Sequence, residues 1–113
     1  MNIGRLTRDR FKEFKQDYPI YGTHAELDEY RNEQTVIDHD PRFNVNTMWH
    51  PMTDEASIAA YGMRARSMLY AVVYDDPGIA YGDRVFIRGT EHIVEGLKYY
   101  NTHTRVEVSR KGA

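Results

Sequence analysis

Cysteine is absent from the 113 residues, which excludes disulfides, a thiolate nucleophile and any cysteine-ligated zinc site. Long hydrophobic runs are missing too. The longest unbroken one, Met68 to Tyr74, is far too short to cross a bilayer as a helix. The opening Met1-Asn2-Ile3-Gly4-Arg5 lacks the apolar core of a signal peptide, so the expectation is a soluble chain made in the cytoplasm and not exported by a signal of its own. Neither charge sign dominates. Fifteen Lys and Arg stand against 17 Asp and Glu, net −2, and a sequence-reading DNA-binding domain would carry a denser basic surface. Internal repeats and low-complexity tracts are absent as well.

What is present suits one small domain spanning 1–113. Nine Tyr, four Phe and one Trp supply rings with an apolar body, and in Tyr a polar tip, which fit contact surfaces as well as cores. Charge is blocked along the chain. Residues 1–16 are net +3, residues 17–40 carry seven acidic groups and one Arg, and residues 84–113 are net +3. Such blocks can set head-to-tail contacts between copies or can simply be solvated faces.

Ile3, Leu6, Phe11 and Phe14 recur at near-helical spacing among Arg and Lys, so 1–17 reads as a docking arm or amphipathic helix. Tyr18-Pro19 ends it. Ile20-Tyr21-Gly22 reads as a turn, Ala25–Tyr30 as weak strand and Thr35-Val36-Ile37 as a short β-branched run. Two prolines, two Asn and scattered large apolar groups make 38–52 a long irregular loop. A short helix follows over 53–61, with Thr53 as cap and Gly62 as stop. The stretch 69–109 reads as a β-meander: a run buried on both faces at Leu69–Tyr74, a turn at Asp75-Asp76-Pro77-Gly78, and alternation of Val85 with Ile87 and of Val106 with Val108. The fold class is therefore mainly β, a small antiparallel barrel or sandwich with one short helix and a long loop.

Catalytic chemistry is hard to assemble. Asp38, His39, Asp40 and His50 offer metal donors without a scaffold to fix their geometry. Thr102 and Thr104 flank His103, but neighbours on a strand point to opposite faces. No nucleophile–base–orienter set emerges, so no enzyme activity, metal or cofactor is expected.

Ile79-Ala80-Tyr81-Gly82-Asp83-Arg84-Val85, then Ile87 to Leu97 around Gly89 and Gly96, then Asn101 to Val108, resemble the C-terminal hairpins of head-closure (head-completion, stopper) proteins of tailed bacteriophages. The helix and hydrophobic strand before them look like that family's middle section; residues 1–50 match poorly. The resemblance implies a small β-barrel forming a homo-oligomeric ring in the virion neck. The ring lies below the portal and adaptor, closes the channel after DNA packaging, and presents the surface on which tail proteins dock. Double-stranded DNA would pass without being read, and no membrane is involved. A loop in that family gates the channel, and 38–52 holds a similar place in the order of elements. Asp38, His39, Asp40, Arg42, Phe43, Asn44, Trp49 and His50 are thus the candidate gating residues. Arg5, Arg8, Phe11, Phe14, Tyr99, Tyr100 and Arg105 are the candidate subunit or partner interface. Rival readings are a head–tail adaptor or tail terminator, or a small-barrel nucleic-acid-binding module in which Tyr99 and Tyr100 stack on bases and Arg84, Arg88 and Arg105 meet phosphates.

Overall fold

The computed structural model describes residues 15–112. Nine strands run β1 (Gln16–Tyr21), β2 (Thr23–Leu27), β3 (Glu33–Ile37), β4 (Phe43–Thr47), β5 (His50–Pro51), β6 (Met68–Tyr74), β7 (Arg84–Ile87), β8 (Thr90–Tyr99) and β9 (His103–Arg110). Among the described residues one helix, α1 (Glu55–Tyr61), leads directly into a 3₁₀ stretch at Gly62–Ser67. Seven strands form one antiparallel sheet in the order β4-β1-β7-β8-β9-β6-β5, while β2 and β3 pair only with each other.

The two outermost strands of the large sheet, β4 and β5, are consecutive in sequence and joined by Met48 and Trp49 alone. So short a link forces the sheet to curl until its edges meet, giving a half-barrel. The Thr47 hydroxyl donates to the Val72 carbonyl at 2.9 Å across the seam. Inside lie Ile20, Val45, Val73, Val85, Ile87, Val94, Leu97, Val106 and Val108, with Ile79 from the loop before β7. The expected alternations at Val85/Ile87 and Val106/Val108 hold. Leu97 points inward at odd spacing from Val94 because a β-bulge between Val94 and Gly96 shifts the register.

The small-barrel fold class stands, with corrections to its parts. Residues 38–52 are not a long irregular loop: they contain β4 and β5. Phe43, Val45 and Thr47 turn to the interior side while Asn44 and Asn46 face out, a two-residue period that outweighs the low strand propensity of Asn. Residues 16–21 form a strand, not the end of an arm and a turn. Pro19 is tolerated there because the ladder from β1 to β7 begins only at Ile20. The four strands of 69–109 are present, yet they are not a simple meander. β7, β8 and β9 are joined by hairpins, and β6 pairs with β9, a Greek-key arrangement. Arg88 and Gly89, both at positive φ, make the tight β7–β8 turn.

The helix expected over 53–61 runs over Glu55–Tyr61, and its cap is one residue later than the expected Thr53. Asp54 is its N-cap, accepting from the Ser57 amide at 3.1 Å and the Ser57 hydroxyl at 2.7 Å. These bonds, led by the hydroxyl, hold the Asp54 carboxyl below its usual range. Gly62 at φ 61 closes α1, as its freedom from a Cβ permits. The amphipathic reading of 1–14 lies outside the described residues.

Candidate functional site

Two surfaces of opposite character flank the half-barrel. The first is the β2–β3 hairpin, which emerges from the C-terminal end of β1 through Gly22 and returns through 38–42 into β4. Nearly every side chain on it is half-buried or exposed, so it stands away from the core. Its tip is nevertheless well ordered by hydrogen bonds. The Asp28 carboxylate accepts from the Tyr30 amide (2.9 Å), the Asn32 amide (2.8 Å) and the Gln34 side chain (3.2 Å). Those bonds, the Asn32 amide foremost, keep Asp28 below the usual carboxylate range. The ordered tip displays Leu27 and Tyr30 at 69% and 77% exposure, amid Glu26, Glu29 and Glu33.

His24 ties the hairpin at its base. Its Nε2 lies 2.8 Å from Glu26 and its Nδ1 2.6 Å from Asp38, and these carboxylates, Glu26 first, raise its pKa. Arg42, in the return segment, binds the buried Asp83 carboxylate and the Gly78 carbonyl.

The second surface lies at the opposite end, where β1 and β6 begin and β9 finishes. A groove of about 910 Å³ opens there, floored by Tyr18, Trp49, Met68 and Leu69. Arg66, Arg88 and Arg110 line it, all exposed and none in an ion pair with the described residues. Trp49 meets Tyr18 edge-on at 6.0 Å, and its Nε1 is buried with no acceptor among the described residues.

Between the two, α1 covers the outer face of β8 and β9 over a polar layer. Glu107, 1% exposed, accepts from the Tyr61 hydroxyl at 3.1 Å and from Arg105 at 3.3 Å. Arg105 also reaches the Ser57 hydroxyl at 3.0 Å and lies 4.1 Å over the Tyr70 ring. Burial first, then the negative charge of Glu107, pushes the Tyr61 hydroxyl up. Nearby, Glu95 accepts from Ser109 (2.7 Å) and from Arg64. Burial opposes its ionisation, yet those two bonds hold its pKa below the usual value.

The candidate residues therefore scatter. Asp38 sits at the hairpin base and His39 and Asp40 in the short connector to β4. Arg42 is engaged with Asp83, and Phe43 and Asn44 are paired to β1. Trp49 lies at the seam, and His50 packs on Tyr70 at 5.3 Å. Strand pairing holds Phe43, Asn44 and His50 of the expected gating set in the sheet and Asp83 holds Arg42, while His39 and Asp40 stay exposed in the connector. Arg105, expected at an interface, is partly buried beneath α1, bonded to Glu107 and Ser57. Tyr99 and Tyr100 are exposed at the hairpin end, with Tyr100 stacked on His103 at 4.8 Å. Arg5, Arg8, Phe11 and Phe14 lie outside the described residues. For the nucleic-acid rival, Arg84 is paired with Glu91 at 2.9 Å, leaving Arg88 as the available one of its three arginines. Among the described residues, no helix is long and apolar enough to cross a membrane, and no cluster of three or more His, Asp or Glu is placed to hold a metal. Sequence reasoning missed both surfaces: the hairpin because its strands are polar on each face, the groove because its arginines come from distant segments.

These features define a class, the small curled antiparallel barrel with a helix on its outer face and a projecting hairpin. No family model matches the chain, and no curated protein matches it. Solved structures share the fold. Protein SF1141 of Shigella flexneri 2a aligns over 99% of this chain and 98% of its own, with TM-score 0.62 and 12% identity. The phage-like element PBSX protein xkdH of Bacillus subtilis aligns over 86% of this chain and 96% of its own, with TM-score 0.51 and 10% identity.

Proposed function

We propose that the chain is a non-catalytic structural subunit of a bacteriophage head–tail connector, acting as the ring that closes the DNA channel after packaging and offers the tail its docking surface. The observation that carries this reading is the half-barrel shared, almost end to end, with a protein of the phage-like element PBSX. The hairpin resemblance at Ile79–Val108 points the same way. A duct for DNA must not grip it, because clustered cations on its lumen would bind phosphates through counterion release. The chain's slightly negative net charge of −2 suits that requirement. The ring's neighbours would be a portal or adaptor ring on one side and tail proteins on the other.

Electron microscopy of assembled particles, with an antibody fragment bound to this chain, tests the reading. Label at the neck is the expected result; label on the capsid shell or the tail tip, with none at the neck, sinks it. The arginine-lined groove around Trp49 favours one second reading, a nucleic-acid-binding module. A steeply salt-dependent gel shift with single-stranded DNA would support that module, whereas the connector subunit predicts little or no shift.

A further inference from the structure

The projecting hairpin and the groove are complementary in charge, shape and chemistry. Hairpin residues 23–37 carry four acidic side chains and Arg31, net −3, while the groove presents Arg66, Arg88 and Arg110 against Asp17. The hairpin tip is convex, with Tyr30 and Leu27 standing out of an acidic rim. The groove is concave, with an aromatic and aliphatic floor inside a basic rim. An ordered tip costs little entropy to dock, and a Tyr on such a tip is the residue type that anchors interfaces.

These partners cannot meet within one molecule. The groove is built around the first residues of β1, Gln16 to Pro19, and the hairpin leaves from the last, beyond Tyr21. The strand alone separates them by roughly 20 Å. We propose that the β2–β3 tip of one copy seats in the Arg66/Arg88/Arg110 groove of the next, so that copies add head to tail. A contact between unlike surfaces is heterologous, and repeating it produces a ring when the rotation closes. The inference deepens the connector reading and rests on it for the setting, while the contact itself follows from the two surfaces. A competing occupant, the chain's own residues 1–14, carries four basic and two acidic groups. It would bring a net positive charge to a positive groove.

The cysteine-free sequence makes a direct test possible. An Arg31→Cys chain, which keeps the Tyr30 anchor, is mixed with a Thr90→Cys chain, both positions being exposed and Thr90 lying in the groove, and disulfide dimers are counted under mild oxidation. The control replaces Thr90→Cys by Tyr99→Cys, exposed at the hairpin end. The expected rate is at least about tenfold above the control. It should fall by a similar factor with Glu26→Lys, Glu29→Lys and Glu33→Lys in the hairpin. It should recover when the groove chain carries Arg66→Glu and Arg88→Glu. Asp28 is left intact because it builds the tip, and circular dichroism checks that each variant is folded. A rate equal to the control, or one indifferent to charge reversal, overturns the proposal. So does preferential linking of Phe11→Cys to Thr90→Cys within one chain, which would make residues 1–14 the occupant. Quenching of Trp49 fluorescence by an oligothymidylate that also blocks the cross-link would assign the groove to nucleic acid instead. Failure here leaves the neck-labelling result untouched, and label away from the neck leaves the cross-link standing, so the two readings fail separately.

Discussion

Glu107 illustrates how a single residue position constrains its neighbours. A carboxylate under α1 with 1% exposure is tolerable only while Tyr61, Arg105 and, at 3.8 Å, Lys98 satisfy it, because an unpaired buried charge costs several kcal/mol. Gly96 makes the room. A Cβ there would press against the Glu107 carboxylate and lie 2.7 Å from the Tyr61 hydroxyl. Gly96→Ala is therefore expected to destabilise by about 2 kcal/mol through overpacking, and Tyr61→Phe by about 1 kcal/mol through the lost hydrogen bond, both measured by urea unfolding. Arg105→Ala, which removes a cation from a buried carboxylate, should cost more, about 3 kcal/mol. At the hairpin base the sign runs the other way with pH. His24 has its folded pKa raised above 6.5, so its contribution to stability is fully present below 6.5 and is lost as pH rises through the raised value. A proton NMR titration should give a His24 midpoint above 6.5. Glu26→Gln should lower that midpoint more than Asp38→Asn, since the Glu26 bond is the larger cause.

At the scale of elements, β4 is the instructive strand. Its apolar positions fall at Phe43, Val45 and Thr47, a period of two visible in the sequence, but Asn44, Asn46 and the flanking Pro41 and Pro51 mark the same stretch as irregular. Pairing with β1 decides the matter, and β1 itself is disguised by Pro19. The second half of the barrel was far more legible: Gly-centred turns and the Val85/Ile87 and Val106/Val108 alternations carry the positions of β7, β8 and β9. Which strand β6 would join was not readable, because its run of apolar residues records burial without naming a neighbour. The hairpin was hidden for the opposite reason, since two polar strands exposed on both sides show no hydrophobic period. The assignment of β4 to the core has a direct check. Val45→Ala should cost about 2 kcal/mol, in the range of core truncations, while Asn44→Ala should be nearly neutral. Equal, negligible losses from both in urea unfolding would return 43–47 to the status of a projecting segment.

For the whole molecule, the large sheet and the hairpin should respond to solvent as two layers of stability. β9 lies between the two longest ladders, seven pairs each to β8 and β6, with Val94, Val106 and Val108 beneath it in the core, and the seam at Thr47 and Val72 closes the barrel over that core. The hairpin has only its own ladder, few apolar contacts, and the His24 clasp at its root. Segments of that kind open locally at a small fraction of the global free energy. Hydrogen–deuterium exchange on the dilute chain should show amides of 23–37 exchanging first and those of β8 and β9 last, the latter only with global unfolding. Trp49, the single tryptophan, sits at the seam, so its fluorescence should change together with the far-ultraviolet circular dichroism as the barrel melts. Raising the protein concentration should slow exchange at 23–37 if a neighbouring groove takes up the tip, and high salt should speed it again by screening the arginines. Exchange at β8 and β9, which needs global unfolding, should slow as well, because a contact made only by the folded copy stabilises the whole barrel by mass action.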